Sequence, residues 1–127
     1  MPLRGAGLTI AIVLAAAAVA SAGGSTAEVK RGICANTLCV FTQTDFAGQE
    51  VDVTKLGLSN RLDNKIPGQA QSLVNDRDGA AFFYAKRDGR GRTMCINSGD
   101  SIDDLAQVQL VGASSTRLIK RKSCFHH

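Results

Sequence analysis

Apolar positions between residues 34 and 125 come in short runs broken by turn residues, and no long amphipathic stretch interrupts them. Thr37–Thr42 and Gln49–Thr54 read as strands, with Val51-Asp52-Val53 alternating apolar and polar at period two. Thr44-Asp45 and Gly48 supply the turn between them. Lys55–Gln69 has no clear period and holds Gly57, Pro67 and Gly68, so it reads as a long connection of the kind Greek keys use. Ser72–Asn75 is a short strand. Asp78-Gly79 signals a tight turn into Ala80–Ala85, the most aromatic strand of the chain. A second turn at Asp88-Gly89-Arg90-Gly91 leads to the strand Arg92–Asn97. Ser101–Leu110 fits a short helix, with Ser101 as N-cap and Asp104 three residues on. Ser115–Lys120 closes the series. Many short strands with regular turns predict an all-β sandwich.

The pattern repeats at an offset of 43 residues. Phe41, Phe46, Gly48 and Ser72 are matched by Tyr84, Gly89, Gly91 and Ser115. Val51-Asp52-Val53 maps onto Met94-Cys95-Ile96, and Val40 onto Phe83. A fixed internal offset points to a duplicated unit, here two Greek-key motifs packed face to face. In each motif the aromatic-to-glycine corner folds over its own hairpin. Ser72 and Ser115 are placed to hold those corners by hydroxyl bonds to backbone.

The first residues belong to a different class of segment. Arg4 is a positive n-region, Leu8–Ala20 is an apolar run, and Ala20-Ser21-Ala22 is a small-residue cleavage site, the three parts of a secretory signal peptide. The run is too short and too alanine-rich for a membrane anchor, and no cysteine stands nearby to carry a lipid. The domain plan is therefore a signal peptide over 1–22, a small polar leader over 23–33, a domain over 34–124 and a tail over 125–127. The mature protein is expected outside the cell, as a monomer, with no membrane contact after cleavage.

The four cysteines, Cys34, Cys39, Cys95 and Cys124, agree with export: an even number in a small secreted domain reads as two disulfides. Three connectivities are open. Cys34 with Cys39 is the local option and would leave Cys95 with Cys124. A zinc site lacks its usual spacing, because there is no C-x2-C pair and both histidines, His126 and His127, are terminal. The same position of the histidines leaves no Ser-His-Asp or Cys-His arrangement, and Gly89-x-Gly91 lacks the strand-to-helix context of a phosphate loop. No enzyme chemistry is expected. A net charge of +4, one unit of it on Arg4, is too diffuse for a nucleic-acid binder. Lys86, Arg87, Arg90 and Arg92 at a hairpin tip, with Lys120-Arg121-Lys122 near the end, read as solvated surface that could also meet anionic wall polymers.

Phe41-x4-Phe46-x-Gly48 with Ser72, repeated as Tyr84-x4-Gly89-x-Gly91 with Ser115, resembles the βγ-crystallin signature. The second copy has Gly89 in place of the middle aromatic. With the signal peptide and the Cys-x4-Cys-Val-Phe opening, the stretch Cys34–Leu118 resembles the secreted metalloproteinase-inhibitor family of actinomycetes. That likeness implies a βγ-crystallin-like sandwich and a protein that inhibits a secreted, thermolysin-like zinc metalloprotease. It also implies a reactive peptide bond after a disulfide-bonded cysteine on the strand that follows the Tyr-to-Gly corner, which here is Cys95-Ile96. A rigid, substrate-like segment loses little ordering entropy on binding. Ile96 would then be exposed for a hydrophobic primed-side pocket, and the protease's zinc would lie near the Cys95 carbonyl. The family's partner cysteine comes five residues later, where this chain has Asp100. Ile96 also fits the core, as the counterpart of Val53. Calcium-binding relatives of the fold carry two Asp or Asn residues, a two-residue gap and then Ser/Thr-Ser. Here Pro67-Gly68 precede Ser72 and Leu110-Val111 precede Ser115, so neither supplies the oxygens calcium needs, and no metal or cofactor is expected. A second possibility shares the fold without the target: an extracellular binding or toxin module acting on cell-surface material, with Ile96 buried.

Overall fold

Strand β1 (Leu38–Gln43) shows how the chain builds two layers, because both of its faces are buried. Leu38 and Val40 point into one apolar cluster, while Cys39 and Phe41 point into another. The computed structural model describes residues 34–125. The signal peptide and leader expected over 1–33, and the terminal histidines, lie outside those residues.

Eight strands follow one another: β1, β2 (Ala47–Val53), β3 (Gly57–Ser59), β4 (Ser72–Asn75), β5 (Ala81–Lys86), β6 (Arg90–Ile96), β7 (Ser101–Ile102) and β8 (Ser115–Leu118). The six strands read from the sequence fall within two residues of observed ones at each end. They form two four-stranded antiparallel sheets, ordered β2-β1-β4-β7 and β3-β8-β5-β6. The third strand of each motif leaves its own motif and completes the other sheet. β3 pairs with β8 through Gly57↔Leu118 and Ser59↔Thr116, and β7 pairs with β4 through Leu73↔Ile102. The fold is thus an all-β sandwich of two interlocked Greek keys.

Two regions differ from expectation, and the 43-residue offset relates them. Lys55–Gln69 is not without structure: it holds β3 and a one-turn helix α1 (Arg61–Lys65) whose Leu62 is fully buried. Ser101–Leu110 is not a helix capped by Ser101. Ser101 and Ile102 form β7, and only a 3-10 turn over Leu105–Val108 follows, capped by Asp104, whose carboxylate accepts the Ala106 N–H at 2.9 Å. Completing the edge of the first sheet satisfies the side of β4 that faces away from β1, which a helix starting at Ser101 would leave unpaired. Leu62 and Leu105 occupy matching places and are both buried.

Between the sheets lies the main core, with Leu38, Val40, Val53 and Leu73 from one layer and Phe83, Ile96 and Leu118 from the other. A smaller cluster of Cys34, Cys39, Phe41, Phe46 and Val74 covers the outer face of the first sheet. No helix among the described residues is long and apolar enough to cross a membrane.

Candidate functional site

The two corners are built from the same parts. Ser72 Oγ donates to the Gln43 carbonyl at 2.7 Å and accepts the Phe46 N–H at 3.0 Å. Its counterpart Ser115 donates to the Lys86 carbonyl at 2.6 Å and accepts the Gly89 N–H at 3.0 Å. Each corner is also tied to the exchanged strand region of the other motif. The Asp45 N–H donates to the Asp103 carbonyl at 2.8 Å, and the Asp88 N–H to Asn60 Oδ1 at 2.9 Å. Asn60 and Asp103 stand 43 residues apart, so the two ties join equivalent positions, one through a backbone carbonyl and the other through a side-chain oxygen.

The corners differ in their aromatic content. Phe41 and Phe46 meet edge to face, with centroids 6.1 Å apart and planes at 79°, and Phe46 is held at φ 59°. Gly89 takes that backbone conformation at φ 70° without a side chain to strain. Leu58 fills the vacated side, its Cδ1 3.3 Å from where a Gly89 Cβ would stand. Tyr84 is half-buried, and its hydroxyl accepts from Arg117 Nε at 3.4 Å. At Gly48 a Cβ would collide with Thr42 Oγ1, so that turn, at φ 83°, excludes larger residues. Gly91 repeats the same φ in the second corner.

Strand β6 follows the second corner and lies at an edge of its sheet, pairing with β5 alone among the described residues. Residues 90–93 are exposed and Met94 and Cys95 half-buried. Strand parity sends Ile96 inward. It opposes Ala81 and is 6% exposed, so the exposure that a primed-side residue would need is not met. Cys95 faces outward and bonds Cys124, while Cys34 bonds Cys39. The tail then closes on the end of β6. The Ser98 N–H donates to the Lys122 carbonyl at 2.9 Å, and the Cys124 N–H to Asn97 Oδ1 at 2.7 Å.

Asn75 supports this segment from inside. Fully buried, it donates through Nδ2 to the carbonyls of Gly79 (3.1 Å), Asn97 (3.1 Å) and Ile96 (3.4 Å). Next to it Arg77 donates to the carbonyls of Gly79, Ala80 and Ile119. Burial lowers the pKa of Arg77, but a guanidinium keeps its proton. Neither residue was marked by the sequence, because a polar residue at a strand end carries no period. The basic hairpin tip is partly neutralised: Arg87 pairs with Asp63, and Arg90 lies 3.9 Å from Asp88. Among the described residues the one group of potential metal ligands is Cys39, Glu50 and Asp52. The Cys39 sulfur is bonded to Cys34 and is no thiolate.

Two interlocked Greek keys with serine-clamped corners define a βγ-crystallin-type domain, and solved structures agree. A βγ-crystallin from Ciona intestinalis superposes with TM-score 0.56 at 12% identity, covering 65% of this chain and 99% of that one. A βγ-crystallin domain from Flavobacterium johnsoniae gives 0.54 at 22% identity, covering 65% and 92%. IPSE/alpha-1 from Schistosoma mansoni eggs gives 0.52 at 20% identity, covering 67% and 86%. These likenesses establish the fold. The model of peptidase inhibitor family I36 matches residues 33–96, half of the chain, and the protein belongs to that family. No curated protein sequence matches it.

Proposed function

We propose that this peptidase inhibitor is secreted and acts on a thermolysin-like zinc metallopeptidase, docking the edge strand β6 in the enzyme's active-site cleft. The observation that carries the reading is that the end of β6 is both at a sheet edge and immobilised, by the Cys95–Cys124 bond outside and Asn75 inside. Peptides are bound in extended form by adding a strand to an edge, and a segment already held in that form loses little entropy on binding. In this reading Thr93, Met94 and Cys95 meet the enzyme, the Cys95 carbonyl lies toward the peptidase's own zinc at its open position, and Ile96 anchors the segment from below. The Cys95-Ile96 bond is shielded by that anchoring, which favours a stable complex over cleavage. The Ala20-Ser21-Ala22 site and the disulfides support export.

The test is a titration of a thermolysin-like peptidase with the oxidised protein beside Thr93→Glu, a change at an exposed position. Stoichiometric inhibition, weakened roughly tenfold or more by Thr93→Glu at unchanged thermal stability, supports the reading. No inhibition at micromolar protein removes this enzyme class. The burial of Ile96 favours a second reading, an extracellular module that binds cell-surface polyanions through Lys86, Arg92 and Lys120. Its mark is salt-sensitive retention on wall preparations by a protein that inhibits no metallopeptidase.

A further inference from the structure

On the opposite side of the sandwich from β6, the ends of β2 and β3 and helix α1 enclose a polar cleft of about 450 Å³, within the range of ligand sites. Lys55, Arg61 and Lys65 line it with Asn60, Asn64 and the single carboxylate of Asp52. Arg61 is fixed by its Nε, which donates to the Asp52 carbonyl at 2.7 Å. Its terminal nitrogens, and the ammonium groups of Lys55 and Lys65, have no partner among the described residues.

The internal repeat shows what such a place holds. Three residues lining the cleft, Asp52, Thr54 and Lys55, lie 43 positions before Cys95, Asn97 and Ser98. Those three engage the tail by a disulfide, a side-chain oxygen and a backbone N–H, beside the Ala80 N–H, which donates to the Arg121 carbonyl, and Asp78, which pairs with Lys122. In the second motif a peptide segment therefore stands where, among the described residues, the first motif has none. The charges are inverted between the two. The occupying tail carries Lys120, Arg121 and Lys122, and the second motif has Asp103 and Asp104 where the cleft has Asn60 and Arg61. The Lys55 N–H, counterpart of the Ser98 N–H that binds the tail, makes no hydrogen bond among the described residues.

We infer that this cleft binds a carboxylate-bearing peptide segment of a protein partner, in the position the chain's own tail takes in the second motif. Charge-assisted bonds from Lys55, Arg61 and Lys65 supply the recognition, and the Lys55 amide supplies a backbone contact. The site is separate from β6 and does not depend on which peptidase β6 meets.

The test uses the 15N-labelled, oxidised protein titrated with a short N-acetylated oligoglutamate peptide, with an oligolysine peptide and a sulfated disaccharide as comparators. Oligoglutamate should shift the amides of Lys55, Asn60, Arg61, Asn64 and Lys65. The double variant Lys55→Glu/Lys65→Glu, at exposed positions, should weaken binding roughly tenfold or more, while Lys86→Glu leaves it unchanged. Shifts spread evenly over the basic surface, or binding indifferent to the double variant, would overturn the assignment. So would shifts at these amides from the sulfated disaccharide but not from the peptide, which would give the cleft to a glycan.

Discussion

Ser72 and Ser115 each use one hydroxyl twice, as donor to the carbonyl before the corner and as acceptor from the N–H within it. Removing either oxygen leaves buried backbone groups unpaired, at about 1–3 kcal/mol. Ser72→Ala should cost more than Ser115→Ala, because the Phe46 N–H it leaves unpaired is buried whereas that of Gly89 is only partly so. Thermal unfolding of the two variants measures the difference. Ile96 is the other residue whose role is set by a single contact surface. Buried against the core cluster, it should tolerate Ile96→Val at about 0.5–1.5 kcal/mol with inhibition unaffected. Ile96→Asp places a carboxylate where nothing can pair it, and the protein should fail to fold. Circular dichroism separates that outcome from a loss of binding.

Each sheet carries one disulfide on its outer side. Cys34–Cys39 spans 5 residues and belongs to a sealed apolar cluster, whereas Cys95–Cys124 spans 29 and pins the tail to β6. Loop-closure entropy makes the longer bridge the larger constraint on the unfolded chain, at about 3–4 kcal/mol. Cys95→Ser/Cys124→Ser should lower the unfolding temperature accordingly. Hydrogen exchange at the Ser98 and Cys124 amides should rise before that of β5, since their bonds depend on the tail staying in place. If β6 is the inhibitory element, the same variant should lose inhibition more steeply than stability, because its edge is no longer held.

For the whole molecule the exchange of β3 and β7 means that neither motif contains a complete sheet of its own. The Asp45–Asp103 and Asp88–Asn60 bonds add ties that cross between the halves. The protein should therefore unfold in one step. Far-ultraviolet circular dichroism and the fluorescence of Tyr84, the only tyrosine, should give coincident transitions. A fragment ending at Gly79 should remain unfolded alone. Two separate transitions would show that the motifs are independent domains.

Local chemistry made much of this architecture legible. Short apolar runs bounded by turn residues placed the six main strands, the 43-residue offset paired the two corners, and the spacing of aromatic, glycine and serine marked where each would fold. The same offset carried the signal for what was misread. Gly57–Ser59 and α1 are matched by the region of β7 and the turn at Leu105, but strands of two or three residues are too short to show a period. Only the tertiary structure decided which sheet those short strands join, since pairing across the sandwich depends on partners far apart in sequence. It also decided the fate of Ile96. Its neighbour Cys95 had to face outward to reach Cys124, so strand parity turned Ile96 into the core. The basic cleft was invisible for a related reason. Lys55, Arg61 and Lys65 have no distinctive spacing, and they converge only because β3 crosses to the other sheet and brings α1 back beside β2.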